Sequence, residues 1–387
     1  MFMKKECLHM ETKLVHGSRG GDVHTGAISF PIYQSATFKH PAVNESTGYD
    51  YSRVQNPTRE ELENTIAALE GGTAGFAFST GMAAIATLFH LFSTGDHIIV
   101  SDDLYGGTYR LFEEICKKNG MEFSYIDTRS IDNIRKSIKA NTRGIFIETP
   151  SNPMMKVTDI EALNKFTKDN SIILMVDNTF LTPYFQRPLA LGADIVVHSG
   201  TKYLGGHNDT LAGFVVVKEE EMREKIELLH KTVGAVLAPF DCWLMLRGIK
   251  TLGIRMKKQQ ENAIEIANWL KKKEEVEKVY YVGLEDHEGY TLSRKQATGF
   301  GAMISFVVKN TALAEKILKN VKVISFAESL GGVESLITYP ITQTHASIPE
   351  EIRKRLGIDE RLLRLSVGIE DVNDLISDLE EAIEGEE

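Results

Sequence analysis

The chain has 387 residues, 42% apolar and 25% charged, a balance that excludes a disordered, collagen-like or coiled-coil protein. Lys and Arg number 44 and Asp and Glu 54, and the resulting net charge of −10 suits a soluble protein poorly matched to a phosphate backbone, so nucleic-acid binding is not expected. No run approaches the roughly 18 apolar residues of a membrane span, the start lacks the apolar core of a signal peptide, and Cys7, Cys116 and Cys242 are too dispersed for a disulfide framework or a zinc site, so a cytoplasmic protein with reduced thiols is expected.

From the N-terminus, residues 1–50 carry Gly17, Gly20, Gly21, Gly26 and Pro31 and no sustained periodicity. They read as an extended arm that packs on another surface, such as a second subunit. Thr58-Arg59-Glu60-Glu61 has the form of a capping box, and Leu62, Ile66 and Leu69 recur at helical spacing until Gly71-Gly72. A second helix follows Ser79-Thr80-Gly81, with Met82, Ile85, Ala86 and Phe89 along one side. Short apolar, β-branched runs then alternate with helices, at 98–101, 144–148, 172–177, 194–198 and 213–217. Such runs suit strands buried on both faces of a mostly parallel α/β sheet. Beyond Leu246 the pattern changes to an amphipathic helix over 256–273, a strand over 301–308, a helix over 312–320, a strand over 361–367 and an acidic helix from Asp371. The expected division is an arm (1–50), a large α/β domain (51–246) and a smaller α+β domain (247–387).

Ligands of open α/β sheets sit beyond the carboxyl ends of the strands. Asp177 ends one apolar run, and Ser199-Gly200-Thr201-Lys202 follows another. Ser79-Thr80-Gly81-Met82 opens a helix, where free N–H groups favour a phosphate. Each group alone has a plainer reading: a turn carboxylate, a surface lysine, an ordinary helix cap. Their convergence at one sheet edge supplies a buried anion, a primary amine and a phosphate cradle, the parts a pyridoxal phosphate site needs. There is no Walker loop and no well-placed GxGxxG to support a nucleotide site.

Ala193-Asp194-Ile195-Val196-Val197-His198-Ser199-Gly200-Thr201-Lys202-Tyr203-Leu204-Gly205-Gly206-His207 resembles the lysine signature of the pyridoxal-phosphate-dependent Cys/Met-metabolism family. That family includes cystathionine γ-synthases, γ-lyases and β-lyases, methionine γ-lyases and O-acylhomoserine sulfhydrylases. Further blocks match in order: 49–53 with 56–59, 105–108, 148–153, 176–179, 328–332 and 364–368, so the likeness runs from about Thr12 to Leu379.

The resemblance implies the aspartate-aminotransferase-like fold (fold type I): an N-terminal arm, a mostly parallel sheet and a smaller C-terminal α+β domain. It also assigns residues. Lys202 is the Schiff-base lysine and proton carrier. Asp177 binds the pyridinium nitrogen. Gly81, Met82, Ser199 and Thr201 hold the phosphate, and Tyr51 and Arg53 complete the phosphate site of a neighbouring subunit in a dimer of dimers. Tyr105 stacks on the ring and serves as a second acid or base. Asn152 lies beside the ring hydroxyl, Ser329 positions the Lys202 amine, and Arg364 grips the substrate α-carboxylate. Glu328, Asp50 and Arg110 face the distal end of the substrate. On plainer readings Arg53 pairs with a neighbouring glutamate and Tyr105 is core; His198 and His207 are read as packing or hydrogen-bonding residues.

Within the resemblance, Gly107 stands where methionine γ-lyases carry cysteine, and Glu328 stands where cystathionine β-lyases carry an apolar residue. Residues 334–340 and 343–345 look most like bacterial γ-synthases that also accept sulfide. The expected reaction is γ-replacement on an O-acylhomoserine by cysteine or sulfide. The alternative is γ-elimination from cystathionine; β-elimination, methionine γ-lysis, an aminotransferase and a non-catalytic binding protein follow behind.

Overall fold

Seven strands form the first sheet of the computed structural model, which describes residues 8–18 and 21–385. They are Ala74–Phe78 (β1), His97–Ser101 (β2), Glu122–Ile126 (β3), Thr142–Glu148 (β4), Ile173–Asp177 (β5), Ile195–Ser199 (β6) and Gly213–Val217 (β7). Their order is β1-β7-β6-β5-β4-β2-β3, and every neighbouring pair is parallel except the two that β7 makes. The five strands expected from apolar runs are all present. Two strands lie outside those runs. β3 is an edge strand whose side chains are mostly half-buried, so its sequence alternates weakly. β1 contributes only five residues, two of them alanine and one glycine.

Five more strands form a second, mixed sheet: Val276–Tyr280 (β8), Met303–Val308 (β9), Ser325–Phe326 (β10), Leu336–Thr338 (β11) and Leu362–Ser366 (β12), in the order β10-β11-β12-β9-β8. The helices Leu252–Leu270, Thr311–Asn320 and Val372–Glu384 pack with it. The proposed division at residue 246 falls inside the helix Pro239–Ile249, between the two sheets in sequence. One hydrophobic core runs through both, joining Val196 and Phe214 to Phe306 and Leu365. Buried Arg255 adds a polar tie, donating to the carbonyls of Tyr203 (2.7 Å) and Gly248 (2.9 Å).

Two local expectations are corrected. The helix Pro57–Glu70 is capped by Asn56, whose side chain accepts the N–H groups of Thr58 and Arg59, with Pro57 at the first turn. The Thr58 hydroxyl is engaged elsewhere: it accepts the Tyr33 N–H (2.9 Å) and donates to the Pro31 carbonyl (2.9 Å), tying the arm down. The arm itself is not extended throughout. Met10–His16 is a helix anchored by buried Leu14, too short to show a period in sequence. Cys7 and Gly20, and the last two residues of the acidic tail, lie outside the described residues. The other two cysteines are free and buried.

Candidate active site

β4, β5 and β6 end side by side in Glu148, Asp177 and Ser199. A cavity of about 350 Å³ opens over these ends. It is lined by Gly81, Met82, Tyr105, Glu148, Asn152, Asp177, Ser199, Thr201, Lys202, Glu328, Ser329 and Arg364, together with Thr80, Thr179 and Thr344. The sheet thus gathers residues spread over nearly 300 positions of sequence, as strand ends do in doubly wound proteins.

Asp177 is held from one side. The Thr179 hydroxyl (2.6 Å) and N–H (3.0 Å) both donate to its Oδ1, and the same hydroxyl accepts the Ser199 N–H (2.8 Å). Burial raises the Asp177 carboxyl above its ordinary range, and these two donors work against that rise. Glu148 next to it accepts the Tyr105 N–H (3.0 Å), and burial plus the Asp177 charge push its carboxyl well up.

The helix Gly81–Phe89 starts against Ser199. Thr80 caps it by taking the Ala83 N–H (2.9 Å), which leaves the first N–H groups directed out of the helix end. A side chain at 81 would come within 2.9 Å of Ser199 Cβ, so only glycine lets this helix start meet the Ser199 hydroxyl. The Thr201 hydroxyl accepts the Ala212 N–H (3.0 Å), bracing the turn that carries Lys202.

The Lys202 amine donates to Ser329 Oγ at 2.8 Å. Burial, then the Arg364 charge, push its pKa down to about 8. Ser329 has φ of +110°, in the region that disfavours any side chain. This turn lets one residue serve two cations, because its carbonyl also accepts from Arg364 (3.0 Å). Arg364 further donates to Asn152 Oδ1 (2.9 Å) and Thr338 Oγ1 (3.1 Å). These three partners are neutral oxygens, and burial pushes the guanidinium down to about 10, so the charge is organised but not neutralised by them. An arginine held this way keeps charge with which to pair a carboxylate.

Tyr105 is 41% exposed at the cavity edge and is not a core residue. A side chain at Gly107 would lie 2.5 Å from the Tyr105 ring and 3.1 Å from Met82 Sδ, so the glycine lets that ring pack down. Four expected residues do not line the cavity. Tyr51 and Arg53 are exposed, with the Arg53 guanidinium 5.7 Å from the Tyr51 ring and donating to the Lys231 carbonyl. Asp50 pairs with His40 (3.2 Å) and accepts the Ser46 hydroxyl (2.7 Å), and Arg110 is exposed on the helix Gly106–Leu111. His198 is buried with its Nε2 2.6 Å from Glu70, and His207 Nδ1 lies 2.7 Å from the Gly205 carbonyl.

Glu148, Thr179, Thr338 and His345 join the site without having been singled out by sequence. Glu148 carried the same signal as Asp177, an acid closing an apolar run. The others left none: Thr338 reaches Arg364 from β11, and His345 Nε2 donates to the Asn152 carbonyl (3.0 Å) only through the chain's return from the second sheet.

A buried acid, an amine with a lowered pKa, a helix start cleared by glycine and an unneutralised arginine fit a phosphorylated pyridine aldehyde bearing an amino-acid substrate. Comparison of the whole chain decides the matter: residues 11–384 match the family described as Cys/Met metabolism PLP-dependent enzyme. The chain belongs to that family. As a member it is a pyridoxal-phosphate-dependent enzyme of cysteine and methionine metabolism with the type I fold. It is 52% identical to the cystathionine gamma-synthase/O-acetylhomoserine (thiol)-lyase of Bacillus subtilis (97% of this chain, 96% of the relative). It is 49% identical to that organism's cystathionine gamma-lyase (97% and 99%) and 48% identical to a cystathionine beta-lyase of Lactococcus lactis (97% and 99%). Among solved structures, cystathionine gamma-lyase from Lactobacillus plantarum complexed with L-serine superimposes with a TM-score of 0.95 at 46% identity, covering 97% of this chain and 98% of that one. Among the described residues no helix is long and apolar enough to cross a membrane, and no group of three or more His, Cys, Asp or Glu is placed to hold a metal.

Proposed function

We propose that this family member catalyses γ-replacement, exchanging the acyl group of an O-acylhomoserine for cysteine or sulfide. The observation that carries replacement is the 52% identity with the Bacillus subtilis cystathionine gamma-synthase/O-acetylhomoserine (thiol)-lyase, and Glu328 supports γ chemistry of either kind. Its acid lines the same cavity as Lys202 and Arg364 and adjoins Ser329, so it offers an ion pair to the second amino group that cysteine and cystathionine bring.

When bound, pyridoxal phosphate supplies an electron sink that stabilises negative charge on carbon next to the amino group. Asp177 would hold its ring nitrogen and Asn152 its ring hydroxyl. The N–H groups of Gly81 and Met82 and the hydroxyls of Ser199 and Thr201 would hold its phosphate, Tyr105 would cover the ring, and Lys202 would hold the aldehyde carbon. Arg364 takes the substrate α-carboxylate in its two-pronged grip. With a pKa pushed down to about 8, part of the Lys202 amine is unprotonated near neutral pH and can take a proton from Cα. Ser329 keeps that amine within reach, and the Tyr105 hydroxyl serves as the second acid or base at the leaving group.

Tyr51 and Arg53 we assign to the phosphate site of a neighbouring subunit in a cytoplasmic dimer of dimers, with Asp50 and Arg110 toward the distal end of the substrate. Their exposure outside their own chain's cavity supports this. A second reading, γ-elimination from cystathionine, is favoured by the 49% identity with the Bacillus subtilis gamma-lyase. Product identification by mass spectrometry separates the readings. The loaded enzyme is given O-acetylhomoserine plus cysteine, and in parallel cystathionine alone. Faster formation of cystathionine in the first tube than loss in the second is the expected outcome. Rapid release of cysteine and 2-oxobutyrate from cystathionine would overturn it for the γ-lyase, and homocysteine with pyruvate would assign a β-lyase.

A further inference from the structure

Glu148 and Asp177 are direct partners across parallel strands β4 and β5, and both acids line the cavity. Each of two carboxyls side by side disfavours the charge of the other, so the one with less support keeps its proton to higher pH. Their surroundings are unequal. Asp177 receives two hydrogen bonds from Thr179, from its hydroxyl and its N–H, and both favour its charged form. Glu148 receives one, from the Tyr105 N–H. It faces two other acids, Asp177 and Asp103, against one cation, Arg364, which is already held by Asn152, Ser329 and Thr338. Burial pushes the Glu148 carboxyl well above its ordinary range, in keeping with this imbalance.

We propose that Glu148 is a positioning residue, a neutral carboxylic acid that leaves the charge of the pair to Asp177 and holds Tyr105 at the cavity edge by accepting its N–H. A neutral acid still accepts that hydrogen bond through its carbonyl oxygen, though more weakly than a carboxylate would. It also places no second negative charge beside Asp177, so Asp177 alone would meet the charge of a ring nitrogen bound there. The proposal rests on the assignment of Asp177 to that nitrogen. It adds a requirement of its own, that position 148 be uncharged and able to accept.

The test compares wild type with Glu148→Gln and Glu148→Ala. In the infrared difference spectrum of the apoproteins at neutral pH, wild type minus Glu148→Gln, the expected signal is the carbonyl stretch of a protonated carboxylic acid. Glutamine, neutral and able to accept, is expected to keep the cofactor dissociation constant within about threefold and the visible circular dichroism of the bound cofactor unchanged. Alanine, which cannot accept, is expected to alter that dichroism and lower kcat about tenfold, with a smaller change in KM. A carboxylate band in place of the acid band, or glutamine as damaging as alanine, would overturn the proposal. If the alanine variant does not fold, the infrared band and the glutamine variant still decide. Asp177→Asn separates the underlying assignment: wild-type cofactor affinity in that variant would sink the ring-nitrogen role of Asp177, whatever the state of Glu148.

Discussion

The chemistry of Lys202 follows from two neighbours that sequence does not place beside it. Ser329 accepts from the amine at 2.8 Å, and Arg364 adds a positive charge that, with burial, makes the protonated form costly. The sign of the stability effect follows from the direction of the shift. Between pH 8 and the ordinary lysine value of 10.5, the unfolded chain keeps a proton at 202 that the folded apoprotein has released. The unfolded state binds more protons there, so this residue makes apoprotein stability rise with pH across that window. Lys202→Met removes that contribution. The urea midpoint of the apoprotein, measured at pH 8 and pH 10, is expected to rise less in the variant than in wild type; equal changes would show an amine of ordinary acidity. Lys202 itself was legible, because a lysine three residues beyond Ser199 at the end of an apolar run is an unusual delivery. Its lowered pKa was not, because burial and the Arg364 charge arise only where the second sheet packs over Lys202.

At the scale of elements, the start of the helix Gly81–Phe89 shows how sequence sets a site. Thr80 supplies the cap, and the missing side chain at 81 allows contact with Ser199 on β6. Gly81→Ala would place a methyl group 2.9 Å from Ser199 Cβ, so the helix end or the β6 turn must yield. Cofactor affinity of the apoprotein is expected to fall about tenfold, ~1.4 kcal/mol, read by titration with pyridoxal phosphate. Undiminished affinity would remove this helix start from the phosphate site. The strands were readable for the same reason that the site exists: runs buried on both faces must be apolar, so an acid or hydroxyl that closes one stands out. Where burial is partial, as on edge strand β3, or the element is a helix of seven residues with one buried anchor, as around Leu14, the pattern has too few residues to be read.

At the scale of the whole molecule, Tyr51 and Arg53 test the assembly. If they serve a partner's site, Arg53→Ala and Lys202→Ala each inactivate a different half of a shared site. Random mixing of the two inactive variants then restores about a quarter of wild-type activity, through mixed dimers with one intact site. No recovery after unfolding and refolding them together would place each site within one chain. What the sequence by itself determined is five of the seven strands of the first sheet, the family, the cofactor, and the identity of residues that close strands or open helices. These are local matters, set by periodicity, by caps and by the rarity of a polar group at the end of an apolar run. Only the tertiary structure decided which of those residues meet. The sheet order puts Glu148 beside Asp177, and the second sheet returns Ser329, Thr338 and Arg364 to Lys202 and Asn152. The physical reason is that burial and charge neighbours, which set acidity and hydrogen bonding, arise from segments distant in sequence that only strand pairing and packing bring together.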